Sequence, residues 1–146
     1  MQQGYVYIET NDERSGVIRL ALTADPPLLP TDEQPPTRRI CYVAGFNDGD
    51  AALMHAHQLL RHALLDVDAG LYRTSAAEAI AVLESLDLRR ERRFLDPALG
   101  NEALIWIEQR IDALEARRRR RDKLVYLIGY LALALVLFNG LIGLFG

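Results

Sequence analysis

From Leu124 to Gly146 the chain runs 23 residues without a single charge, whereas almost every stretch before it is richly charged. As a helix, at 1.5 Å per residue, that run reaches roughly 34 Å, enough for a bilayer hydrocarbon core of about 30 Å. The competing reading is a buried core helix. In a chain of 146 residues one modest domain remains beside the run, with no second layer to cover an all-apolar helix on every side. A transmembrane helix over 124–146 is therefore expected. Because it sits at the far end of the sequence and no cleavage site follows it, it is not read as a signal peptide.

Charge around the run gives an expected orientation. Arg117, Arg118, Arg119, Arg120, Arg121, Asp122 and Lys123 precede it, and nothing charged follows. Basic residues stay on the cytoplasmic side, so the first 123 residues are expected in the cytosol, as a tail-anchored, single-pass protein of the inner membrane if the source is bacterial. The stretch 117–123 has a net charge of +5 against a chain total of −3, which leaves −8 on the remainder. Such an acidic domain is a poor partner for nucleic acid, whose binding rests on neutralising phosphates. The six basic residues are expected to meet anionic lipid headgroups, worth about 1 kcal/mol per basic residue near the surface. One cysteine, Cys41, excludes a disulfide framework and suits a reducing compartment; within Ile-Cys-Tyr-Val it reads as a small core residue.

Periodicity supplies the elements. Gly4-Tyr-Val-Tyr-Ile8 and Val17–Leu22 read as two strands of a hairpin, with Asn11, Asp12 and Gly16 in its turn. Residues 25–36 hold five of the six prolines and form a loop, open as a binding segment for another domain. Arg39–Phe46 is a third strand. Asp50 is expected to cap a helix running to about Leu65, with Leu53, Ala56, Leu60 and Leu64 inward. Residues 70–74 form a short strand. Ser75 and Glu78 make a capping box for a helix to about Leu86, burying Ala79, Val82, Leu83 and Leu86. The expected fold is a small α+β domain over residues 1–88, with a three- to four-stranded sheet. Arg89–Arg93 is read as a charged connector, opening a helical stalk over 89–123. Leu104, Ile107, Ile111 and Leu114 fall at a/d spacing on that stalk, and point to a homo-oligomer. Nothing between 102 and 138 breaks a helix, so stalk and span are expected to be continuous.

Single residues are weighed against packing. His55, His57 and His62 share one helix, but the i, i+4 spacing that brings two zinc ligands together is absent, so no metal site is expected. Trp106 flanks the stripe as a docking or packing residue. Tyr126 and Tyr130 sit where an interfacial aromatic belt belongs. Gly140, Gly143 and Gly146 recur every three residues, and Asn139 is the one strongly polar side chain deep in the run.

The motifs of the first 88 residues, in order, resemble the GIY-YIG nuclease superfamily. Gly4-Tyr-Val-Tyr-Ile8, Val17-Ile-Arg-Leu-Ala-Leu-Thr23, His57-Gln-Leu-Leu60 and Leu71-Tyr72-Arg73 follow the phage-type branch, which reads G-Y-V-Y-I, K-I-G-x-T, H-x-x-L and E-F-F. The resemblance implies a fold of that type and phosphodiester cleavage by a tyrosine, an arginine and a magnesium-binding glutamate. Tyr7 matches the tyrosine, Arg19 the second motif's aromatic or lysine position, and His57 the histidine. Ala21 stands in place of a glycine. The arginine expected in a helix after Thr23 is missing until Arg38, and the glutamate position falls on Gly70, with Asp68 nearby. Losing a charge stabiliser and a metal ligand together leaves almost no catalysis, so the expectation is a pseudoenzyme.

Three functional readings follow. The first is a non-enzymatic adaptor, binding a cytosolic protein partner from the membrane. The second is a tethered nuclease using Asp66, Asp68 or Glu78 with Arg38 or Arg39, the one case that calls for Mg2+. The third is a phage-defence effector whose clustered spans disrupt the membrane.

Overall fold

The computed structural model describes residues 3–29 and 37–145, with side chains as far as Asn139. It is α+β and divides into two units, Met1–Ile111 and Asp112–Gly146. The first unit is built on one six-stranded antiparallel sheet, larger than the three or four strands expected, in the order β4-β5-β2-β1-β3-β6. The strands are β1 Gly4–Asn11, β2 Val17–Thr23, β3 Arg38–Phe46, β4 Leu64–Asp66, β5 Leu71–Arg73 and β6 Arg90–Leu95. The helices are α1 Gly49–Leu60, α2 Ala76–Glu84 and α3 Gly100–Phe145.

The hairpin forms as its turn residues dictate. Asn11 Oδ1 accepts from the Glu13 backbone N–H at 2.9 Å, and Gly16 takes φ 76°, where a Cβ would be strained. Strand β1 then alternates buried and half-buried residues along most of its length, the period-2 signature of a sheet covered on one face. Val6, Ile8, Ile18, Leu20, Tyr42 and Tyr72 all lie on the covered face, each at most 2% exposed.

The two β-α-β crossovers explain why one face alone takes both helices. β3–α1–β4 and β5–α2–β6 each join strands that run parallel, but they travel in opposite lateral directions with opposite strand senses. Crossovers of equal hand then have to lie on the same side of the sheet. In connectivity, an approximate two-fold axis between β1 and β2 exchanges α1 with α2, and the edge strand β4 with β6. At the start of α1 backbone meets backbone: a Cβ on Gly49 would fall 2.6 Å from Leu22 Cδ1 and 3.1 Å from Gly4 Cα.

Three local expectations are corrected. Asp48, not Asp50, caps α1: its backbone is extended and its carboxylate accepts from Ala51 N–H at 3.0 Å, while Asp50 lies in the first helical turn. That helix ends at Leu60, short of Leu65. Leu64 leaves the apolar stripe to pair with Tyr72 in the sheet, a tertiary contact overriding i, i+4 periodicity. Residues 90–95, within the stretch read as connector and stalk, form edge strand β6 against β3. The folded unit therefore continues past residue 88, as far as Ile111.

Buried charge pins the β3–β6 half. Glu84, 6% exposed at the end of α2, accepts from Tyr42 Oη at 2.8 Å and Arg90 Nε at 2.9 Å, with Arg92 Nε at 3.0 Å. Burial first, then the neighbouring Glu84, pushes the Tyr42 hydroxyl well above its usual range. Asp96 takes Arg39 as a fork and caps the turn that follows through Ala98 N–H at 2.9 Å. In α2, Ala79, Val82 and Leu83 are buried as expected, and so is Leu86, although the helix ends at Glu84 and Leu86 follows its cap.

Helix α3 is unbroken. It contains a stretch long and apolar enough to cross a membrane, and none of that stretch is buried.

Candidate functional site

Helices α1 and α2 cover one face of the sheet, and the opposite face carries Tyr5, Tyr7, Glu9 and Arg19. Because β1 alternates, Tyr5, Tyr7 and Glu9 point away from the face that buries Val6 and Ile8. Register then builds a row across four strands: Ala21 beside Tyr7, Tyr7 beside Val43, Val43 beside Phe94. Val43 is 1% exposed, flanked by Tyr7 and Phe94, which stay half-buried. In the next row Tyr5 lies over Gly45, whose Cβ would fall 3.3 Å from Tyr5 Cε1. The absent side chain at 45 lets the Tyr5 ring lie against the strand. Ion pairs border this aromatic strip: Arg19 with Glu9 at 3.3 Å and Arg93 with Glu91 at 2.9 Å.

The positions matched to nuclease motifs do not meet. Tyr7 and Arg19 share the aromatic face, and Arg19 is held by Glu9. His57 is on α1, across the sheet, where its Nδ1 hydrogen-bonds the hydroxyl of fully buried Tyr72. Gly70 has φ 64°, and a Cβ there would sit 2.3 Å from the Leu20 carbonyl oxygen. Position 70 thus holds no side chain of any kind, glutamate included.

The substitute groups are also dispersed. Asp66 caps a turn through Ala69 N–H at 3.1 Å, on β4, with β5 and β2 intervening before β1. Asp68 is exposed in the same turn. Glu78 binds Arg110 by three hydrogen bonds of 2.8–3.2 Å, and Arg39 is held by Asp96. Arg38 is exposed at the start of β3. Among the described residues no group of three or more His, Cys, Asp or Glu side chains converges as a metal site would require.

Cys41 is buried, its Sγ 3.4 Å from the Ile8 carbonyl oxygen. Burial first, and then Asp96, pushes its thiol up to about 12, far from a reactive thiolate.

On α3, Ile107 is 6% exposed and so packed within the folded unit, whereas Leu104, Ile111 and Leu114 are half-buried. Trp106 is 42% exposed. The basic residues Arg117 to Arg121 and Lys123 are all exposed, and Arg119 bridges to Glu115 at 3.1 Å. Ser75 Oγ accepts from Glu78 N–H at 3.1 Å as the capping box requires, but the Glu78 carboxylate turns to Arg110 instead of back to Ser75.

Two features were missed from the sequence, one with a signal there and one without. The alternation of Tyr5 and Tyr7 with Val6 and Ile8 holds the signal for the aromatic face. Phe94 and the arginines around Glu84 carry no such signal, because their strand reads as a charged linker. No family model, curated protein or solved structure matches this chain.

Proposed function

We propose that this chain is a membrane-anchored adaptor, which displays a catalytically degenerate GIY-YIG-like domain as a protein-binding module in the cytosol. The observation that carries this reading is the separation of the motif positions: Tyr7 lies on one face of the sheet, His57 on the other, and Gly70 cannot bear a side chain. What remains around Tyr7 is a half-buried aromatic strip edged by arginine–glutamate pairs. Tyrosine and arginine are the residues enriched where protein interfaces concentrate their binding energy. The acidic balance of the domain favours a protein partner over nucleic acid. Through residues 124–146 the chain is held in the bilayer, with the basic run 117–123 against anionic headgroups on the cytoplasmic side.

The full chain in detergent, offered branched and duplex DNA with Mg2+, is expected to leave both intact. Cleavage that disappears in Tyr7→Phe would overturn the adaptor reading in favour of the tethered nuclease. For orientation, Glu13→Cys in intact cells is expected to react with an impermeant maleimide only after permeabilisation. Labelling without it reverses the topology.

A further inference from the structure

Leu28 is 88% exposed, more than any other large apolar side chain among the described residues, those of the apolar run in α3 included. Leu29 beside it is 48% exposed. The pair lies in the stretch Ala24–Leu29 that follows β2 and is neither helix nor strand. Pro26 and Pro27 precede it, and Pro30 follows it in the sequence. Proline fixes its own φ and pushes the residue before it towards extended backbone. Two leucines on such a stiff stretch cannot fold back readily onto their own surface, and lose little freedom when a partner takes them up.

Topology decides the side of the sheet on which they stand. β2 and β3 run parallel with β1 between them. The chain leaves β2 at Thr23, beside Tyr5, and re-enters the sheet at Arg38, beside Asn11 at the other end of β1. It therefore has to pass β1 on one face. Helices α1 and α2 both pack on β1 from the side of Val6 and Ile8, which leaves the side of Tyr7. Handedness gives the same answer. β3–α1–β4 joins strands of that same sense but travels the opposite way across the sheet, and connections of equal hand then fall on opposite faces. Ala24–Leu29 thus stands on the Tyr7 side.

Charge says what takes the leucines up. Between Arg19 and Arg38 the sequence holds Asp25, Asp32 and Glu33 and no Lys or Arg, and Asp25 is exposed. An anionic bilayer repels a segment of this sign, whereas a protein pocket with a basic rim attracts it. We propose that Leu28 and Leu29 belong to the docking surface around Tyr7, where they enter an apolar pocket with a basic rim on the protein partner. This rests on the adaptor reading and adds to it two anchor residues outside the sheet and the chemistry of the partner's pocket.

The test uses the full chain in intact membranes, with a photo-crosslinking phenylalanine analogue at Leu28, at Tyr7 or at Glu13. Positions 28 and 7 are expected to capture the same protein, and position 13 none. With the analogue at position 7, Leu29→Asp is expected to lower that adduct about tenfold or more, the worth of one buried leucine side chain. Asp25→Lys is expected to lower it about threefold. Met54→Asp, at a residue 59% exposed on α1 across the sheet, is expected to leave it unchanged. Leu29, Asp25 and Met54 are all exposed, so none of these changes touches the core. Capture at position 7 without capture at position 28 overturns the proposal and leaves the adaptor reading standing. So does capture of lipid or of a different protein at 28, or a position-7 adduct indifferent to Leu29→Asp or to Asp25→Lys. No protein adduct at position 7 brings down both.

Discussion

At Gly70 the backbone takes φ 64° and a Cβ would meet the Leu20 carbonyl oxygen at 2.3 Å, while the Gly70 carbonyl itself accepts from Leu20 N–H at 2.9 Å. Gly70→Ala is thus expected to lower stability by about 1–3 kcal/mol or more, since conformational strain and a backbone clash act together. Gly16→Ala carries the strain without the clash, with nothing within 4 Å of its Cβ, and is expected to cost less; urea midpoints of the detergent-solubilised chain compare the two. Cys41 gives a pH signature. Its folded-state value of about 12 lies above the ordinary value of 9.0, so the folded state favours the neutral thiol. The associated stability is fully present below pH 9 and is lost as pH rises from there towards 12, by at most about 1.4 kcal/mol per pH unit. Wild type is expected to lose more stability than Cys41→Ala between pH 8.5 and 10.5, and to resist iodoacetamide until denatured. The core role of Cys41 was legible from its apolar neighbours. Burial of Glu84 was not: the arginines that neutralise it lie on a strand whose charges looked like a linker.

Elements were legible wherever local pattern and tertiary structure agree. The hairpin, β3 and α2 follow from alternation, turn residues and the Ser75 cap. They diverge at α1 and β4, where Leu64 fits a helical stripe yet pairs with Tyr72, and at β6, whose edge position tolerates the charge that disguised it. The ion pairs linking elements differ in burial and so in expected worth. Glu84→Ala leaves the buried Tyr42 hydroxyl without its acceptor and the part-exposed Arg90 without its partner, and is expected to cost about 1–3 kcal/mol. Arg110, with its side chain 42% exposed against Glu78, sits closer to solvent. A double-mutant cycle on Glu78 and Arg110 is expected to return about 1 kcal/mol or less. A coupling as large as the loss at Glu84 would mean that the α2–α3 contact, not the Glu84 cluster, is the main polar tie. Ile107 teaches the same lesson about pattern. Heptad spacing at Leu104, Ile107, Ile111 and Leu114 reads as a stalk for other chains, but Ile107 is already buried within its own folded unit, so spacing marks an apolar face without naming what covers it.

For the whole molecule, the uncharged run was the most readable feature: it forecasts one long apolar helix of the length that a bilayer span needs. The unburied apolar stretch of α3 agrees with it. Whether Tyr7, Arg19 and His57 converge is a property of sheet faces, which spacing alone does not reveal. The central claim is that the aromatic face around Tyr7 is the working surface of a membrane-held binding domain. Its most direct test places a photo-crosslinking phenylalanine analogue at Tyr7 in the full chain, in intact membranes, with Glu13 in the hairpin turn as the reference position. A discrete protein adduct from position 7, absent from position 13, is the expected result. Adducts no different between the two positions, or covalent capture of DNA at position 7 in place of protein, would contradict it.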